Sequence, residues 1–331
     1  MRDTILYDSA MRLFGDFATA EAGKWPEPLW AAIMAAGYCD VLAEGTAGMV
    51  EAVTILRAAG HHTAPIPLAE TMLARLLCVR CGLTAPEGAL TIAPVEPADR
   101  IMLVGDTLAG RAGYVPWARD AAAVVLIAEG RLFVARRAQI NIELGTNLAG
   151  EPRDHIDAAV EAASAALPKD VDRPLVFRLG ALMRAAQMAG AMEAALALST
   201  RYANDRVQFG RPIARFQAIQ QQLAVLAEEA AAAAVAIETA ALAVAEARPS
   251  AEFAVAAAKI RAGEAAGKVA AIAHQVHGAI GFTHEHRLQR LTRRLWSWRD
   301  EFGDEARWSR DLGNRVMAAG PDALWPAITA R

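Results

Sequence analysis

The chain has 331 residues, 54% of them hydrophobic and 21% charged, and a net charge of −3. That length accommodates two or three subdomains, and so small a charge with no basic run gives no support to a nucleic-acid partner or a membrane surface. Glu228, Glu229 and Glu238 interrupt the long alanine tract before it reaches membrane-spanning length, and Met1 to Thr4 opens no apolar signal segment, so the cytoplasm is the expected location.

Leu6, Ala10, Leu13, Phe14 and Phe17 recur at helical spacing and predict a first helix. A second opens near Pro28, carries Leu29, Trp30, Ile33 and Met34, and closes at Gly37, which is free to take a positive φ. Residues 50–59 and 67–81 predict two more, separated by Gly60-His61-His62 and Pro65. Cys78 and Cys81 form a C-x-x-C in the last of these. No second Cys or His pair stands at finger spacing, and Leu76, Leu77 and Val79 favour a buried helix over a redox or zinc site. Residues 1–84 are therefore expected to be an N-terminal helical domain.

The pattern then changes. Short apolar runs at 90–92, 101–104, 123–127 and 132–134 alternate with Gly105-Asp106 and Glu129-Gly130, which is strand and hairpin signalling. Residues 85–150 predict a reduced β domain, and 151–173 a linker after Gly150-Glu151-Pro152. From 174 to 331 the chain is helical again, with helices expected at 175–204, 216–247, 251–277 (Ser250 as N-cap), 286–298 and 305–318. Alanine-rich faces suit close packing, so this part should be a helix bundle and the fold mainly α.

Two segments carry chemistry. One is Arg201-Tyr202-Ala203-Asn204-Asp205-Arg206-Val207-Gln208-Phe209-Gly210-Arg211-Pro212-Ile213, continuing to Phe216 and Ile219; the other is Gln275-Val276-His277-Gly278-Ala279-Ile280-Gly281-Phe282-Thr283. Arg206 stands where a helix runs out into a turn, and a guanidinium presents a planar fork to phosphate oxygens. Gly278 and Gly281 remove side chains where backbone N–H groups could approach a phosphate. His274, His277, His284 and His286 cluster, but only Glu285 stands near as a carboxylate, so no metal is expected.

Both segments resemble signatures of the acyl-CoA dehydrogenase family, and the helical, β, helical order matches that family over nearly the whole chain. The resemblance implies FAD as cofactor, contacted by Arg206, Gln208, Phe209, Gln275, Gly278 and Ala279, with Ile213, Phe216 and Ile219 nearer its adenine. In the family such contacts reach FAD held mainly by a neighbouring subunit, so an oligomer is implied. It also implies an acyl-CoA substrate, α,β-dehydrogenation with a carboxylate base, and an electron-transferring flavoprotein as acceptor.

Counted from Arg293, the family's glutamate-bearing turn falls on Glu301-Phe302-Gly303-Asp304, with Phe302 at the glutamate position. Glu301, one residue earlier, is the candidate base, and Asp300, Asp304 and Glu305 stand close by. The family's alternative position falls near Gly180, again not an acid. Two readings stay open: a dehydrogenase subunit using Glu301, or a non-catalytic subunit completing the FAD site of a longer chain. The short β segment lacks the family's usual flavin-ring strand, for which Tyr114-Val115-Pro116-Trp117 is a candidate remnant, and it resembles the short subunit of heterotetrameric dehydrogenases acting on steroid side chains. The expected partner is a second copy or a longer subunit of this family.

Overall fold

Helices α1 (Thr4–Asp16), α2 (Glu27–Ala35), α3 (Met49–His61) and α4 (Leu68–Arg80) precede the first strand in a computed structural model of the chain, which describes residues 4–17, 24–43, 45–93 and 99–329. The chain divides into two units, residues 19–52 with 65–180, and residues 1–18 with 53–64 and 181–331.

In the first unit, β1 (Leu90–Ala93), β2 (Arg100–Val104), β3 (Thr107–Pro116), β4 (Ala123–Ala128), β5 (Arg131–Arg136), β6 (Asn141–Glu143), β7 (Arg153–Val160) and β8 (Ala163–Ala166) form two four-stranded sheets. Their orders are β1-β4-β5-β8 and β2-β3-β7-β6. The sheets share one core of Leu108, Val115, Val124, Leu126, Phe133, Ile156 and Val160, all buried. Each such aliphatic side chain contributes about 1.5–3 kcal/mol on leaving water. Thr71 of α4 exchanges hydrogen bonds with the backbone of Leu90, its hydroxyl donating to the carbonyl and accepting from the N–H at 3.0 Å each.

Residues 151–173 are therefore not the linker that the sequence predicts, since β7 and β8 lie within them. Polar Arg153, Asp154 and His155 mask the strand in the sequence. Yet Arg153 and Asp154 are buried, and Asp154 is answered by Arg119 and by the N–H groups of Arg119 and Gly145.

The second unit is helical. It takes in α1, most of α3 and α5 (Arg173–Asp205), then α6 (Gln217–Ala245), α7 (Ala251–His277), α8 (Arg287–Asp300), α9 (Glu305–Ala319) and α10 (Leu324–Thr329). Between α5 and α6 sits a small hairpin, β9 (Val207–Gln208) with β10 (Arg211–Pro212). Helices α6 and α7 pack through buried alanines, among them Ala230, Ala233 and Ala241 with Ala262, Ala266 and Ala270. Glu229 binds Arg261 and Lys268 across the pair.

Gly60 was expected to break a helix, but it lies inside α3. Its missing side chain explains the position, because a Cβ there would stand 2.0 Å from the Gln187 carbonyl of α5. Gly190 does the same from α5, 1.8 Å from the Arg57 carbonyl. Two helices thus cross with backbones nearly touching. Ser250 precedes α7 as expected but makes no side-chain cap bond. Cys78 is buried in α4 with Leu76 and Leu77, and burial pushes its thiol up to about 11, whereas Val79 faces outward at 51% exposure.

Candidate functional site

The two motif segments meet at one end of the bundle. Tyr202, in the last turn of α5, stacks on His277, the last residue of α7, with ring centroids 4.6 Å apart. Arg206 follows one turn after Tyr202, its N–H donating to the Tyr202 carbonyl at 2.9 Å, and its own carbonyl accepts from Ile213 N–H at 2.8 Å. The backbone of Arg206 is therefore held from both sides while its guanidinium is exposed, without an ion pair among the described residues. Glu193, an obvious rival partner, is taken by Arg57 and by the Tyr7 hydroxyl at 3.3 Å.

Phe209 and Gly210 form the two-residue loop of the hairpin, at φ 50° and 78°. Positive φ at both central residues is the geometry that fits the twist of a tight hairpin, but it is costly for a bulky side chain. Phe209 is nonetheless 92% exposed, and its ring meets Phe216 edge-on at 6.2 Å. Arg211 lies 4.4 Å over the Phe216 ring, a cation–π contact that fixes the start of α6. Gln208 is exposed, and Ile213 and Ile219 are half-buried.

Across the stack, Gln275 faces solvent on the last turn of α7, and Gly278 ends the helix at φ 64°, ψ −146°. A Cβ on Gly278 would meet nothing within 4 Å, so the turn is open to an approaching group. Gly281 serves differently, since a Cβ there would stand 3.0 Å from His277 Cβ and from Leu288 Cδ2. It lets the turn lie down on α8. Ala279 is exposed between them. The clustered histidines build this end of the bundle: His274 Nε2 meets Thr292 Oγ1 at 2.8 Å and stacks on Phe282, and His277 Nδ1 bonds the Ala273 carbonyl at 2.8 Å.

The turn at 301–304 is built from groups that sequence reasoning missed. Phe302 and Gly303 hold φ 54° and 86°. Lys259, fully buried in α7, donates to the carbonyls of Arg299 and Gly303 at 2.6 Å each, and Trp308 Nε1 donates to the Phe302 carbonyl at 2.9 Å. Glu301 lies 2.8 Å from Arg184 Nε, whose guanidinium is also stacked near Trp298 and Phe302. Phe302 is buried. Asp304 caps α9 by accepting from Arg307 N–H, and Glu305 pairs with Arg299. A lysine inside the alanine run of α7 was the one signal available, because a charge on an apolar face needs a partner.

Residues 175–305 match the family described as acyl-CoA dehydrogenase, C-terminal domain. A relative named acyl-CoA dehydrogenase IpdE2, from Mycolicibacterium smegmatis, is 30% identical over 249 residues, which is 73% of this chain and 70% of that protein. The chain belongs to the acyl-CoA dehydrogenase family. A second relative, the 3-sulfinopropanoyl-CoA desulfinase of Paraburkholderia xenovorans, is 45% identical over 104 residues, but the match spans only 31% of this chain and 26% of that protein. Among solved structures, the ChsE4-ChsE5 complex from Mycobacterium tuberculosis superposes with a TM-score of 0.82 at 23% identity, over 96% of this chain and 97% of that one. That likeness shows the acyl-CoA dehydrogenase fold.

FAD is the cofactor of this family, and the residues at the bundle end fit its diphosphate. Arg206 offers an exposed guanidinium on a clamped backbone, and the Gly278 turn offers open backbone.

Proposed function

We propose that this chain is one subunit of an FAD-dependent acyl-CoA dehydrogenase, holding the cofactor's diphosphate between Arg206 and the Gly278 turn. The observation that carries the reading is the Tyr202–His277 stack, which brings the two signature segments to one end of the bundle. FAD supplies the hydride acceptor for the β carbon of an acyl-CoA thioester. Gln208 and Gln275 add hydrogen bonds to phosphate or ribose oxygens, and Phe209, Ile213 and Phe216 give an apolar wall.

Phe209, Phe282 and Ile280 expose 92%, 65% and 46% of their surface in the same segments. Apolar side chains so exposed on both segments support cover by a neighbouring subunit on the far side of the cofactor. The base position is the buried Phe302, and Glu301 is engaged by Arg184. We therefore read the chain as the partner that grips flavin, with the proton-abstracting carboxylate supplied by a longer subunit of the same family.

The test is to purify the chain alone and together with a longer family member encoded beside it, then record flavin absorbance and its bleaching by acyl-CoA. The expected result is stoichiometric flavin and bleaching in the mixed assembly alone. A yellow homo-oligomer that oxidises acyl-CoA by itself would return the base to this chain.

A further inference from the structure

Helix α8 carries Arg287, Arg290, Arg293, Arg294 and Arg299 against a single acid, Asp300, in 14 residues. The whole-chain charge of −3 conceals this local excess. Arg287 and Arg290 stand three positions apart and so share a face. Arg287 is fixed in place, its Nη2 donating to the His61 carbonyl at the end of α3 at 2.9 Å. Arg201 arrives from α5 at the same point. Its neighbour Tyr202 stacks on His277, and His277 meets His286, the residue before Arg287, at 4.9 Å.

None of Arg201, Arg287 and Arg290 forms an ion pair among the described residues. Arg287 holds its proton less tightly than an ordinary arginine, first because it is half-buried and then because Arg290 and Arg201 repel its charge. Gathering like charges at partial burial without a counter-charge is unfavourable, and a bound anion removes that penalty.

We infer that Arg201, Arg287 and Arg290 form a second anion site, built for the phosphate group of a small molecule and separate from Arg206. Separation follows from the chain: Arg201 lies within the last turns of α5 and beside Arg287, whereas Arg206 lies past the helix end with its backbone tied into the hairpin through Ile213. Phosphate follows from the donors, because three guanidinium forks match a multiply charged tetrahedral anion, whereas a single carboxylate leaves charge uncompensated.

The probe is inorganic pyrophosphate, titrated calorimetrically into the mixed assembly with the longer subunit, with and without saturating FAD. Binding should persist in saturating FAD, and Arg201→Gln and Arg290→Gln, neither of which removes a side-chain hydrogen bond of the described fold, should each weaken it about tenfold. Arg287→Gln should weaken it further, with circular dichroism confirming the fold. Arg206→Gln should leave it unchanged. Loss of binding on adding FAD, or in Arg206→Gln alone, would assign the anion to the flavin end and overturn a second site. Absence of pyrophosphate binding in the wild type overturns it as well. Because the Arg206 variant is read separately, failure here is distinguishable from failure of the flavin reading.

Discussion

Phe209 combines a positive φ with nearly complete exposure, and neither helps the isolated chain fold. A bulky residue in that region costs on the order of 1–3 kcal/mol, and such strain persists where surrounding structure and function require it. Arg206, three residues earlier, has its backbone clamped and its charge free of ion pairs among the described residues. Replacing Arg206 with Ala should weaken flavin retention by roughly 1.5–3 kcal/mol, the worth of a charge-assisted hydrogen bond. The flavin-to-protein absorbance ratio after dialysis measures this, and full occupancy in the variant would remove the diphosphate assignment. Glu301 should behave otherwise. Arg184 is buried and Glu301 keeps 16% side-chain exposure, so Glu301→Gln should lower stability by about 2 kcal/mol, less than a fully buried pair. Urea midpoints report that loss, while turnover of the assembled enzyme should survive. Abolished turnover at unchanged stability would instead make Glu301 the base.

At the scale of elements, Lys259 joins α7 to the end of α8 and to the turn before α9. Burial pulls its amine down to about 7 from the ordinary 10.5, partly opposed by Glu301. Between those values the denatured chain holds a proton that the native chain has released, so this group's contribution rises with pH across the window. It is fully present above 10.5 and lost as pH falls to about 7. The difference in urea midpoint between wild type and Lys259→Met should therefore slope with pH above 7 and flatten below it. A difference that is flat throughout would mean that Lys259 titrates as it does in water. The helices around this junction were legible in the sequence because leucine, valine and isoleucine keep a helical period through the alanines. The junction was not, since hydrogen bonds from a lysine to carbonyls 40 and 44 residues away leave no local pattern. Strand β7 was hidden for a related reason: Arg153 and Asp154 read as surface until Glu151 and Arg119 supply their counter-charges.

For the whole molecule, the motif segments were readable because Arg206, Gln208 and Gly278 are type-specific, whereas their meeting point depends on Tyr202 and His277, which spacing alone does not pair. If the exposed aromatic segments face a neighbouring subunit across the cofactor, flavin binding and assembly must be thermodynamically linked. A ligand that binds only the assembled state stabilises it by RT ln(1 + [L]/Kd), about 2.7 kcal/mol at a hundredfold excess. Added FAD should then raise the melting temperature of the mixed assembly by roughly 5 °C. It should leave the chain alone almost unmoved, and Arg206→Ala should diminish the shift in the assembly. An equal shift in the solitary chain at high dilution, where subunits separate, would mean that one protomer holds the cofactor unaided, and the exposed Phe209 would then need another explanation.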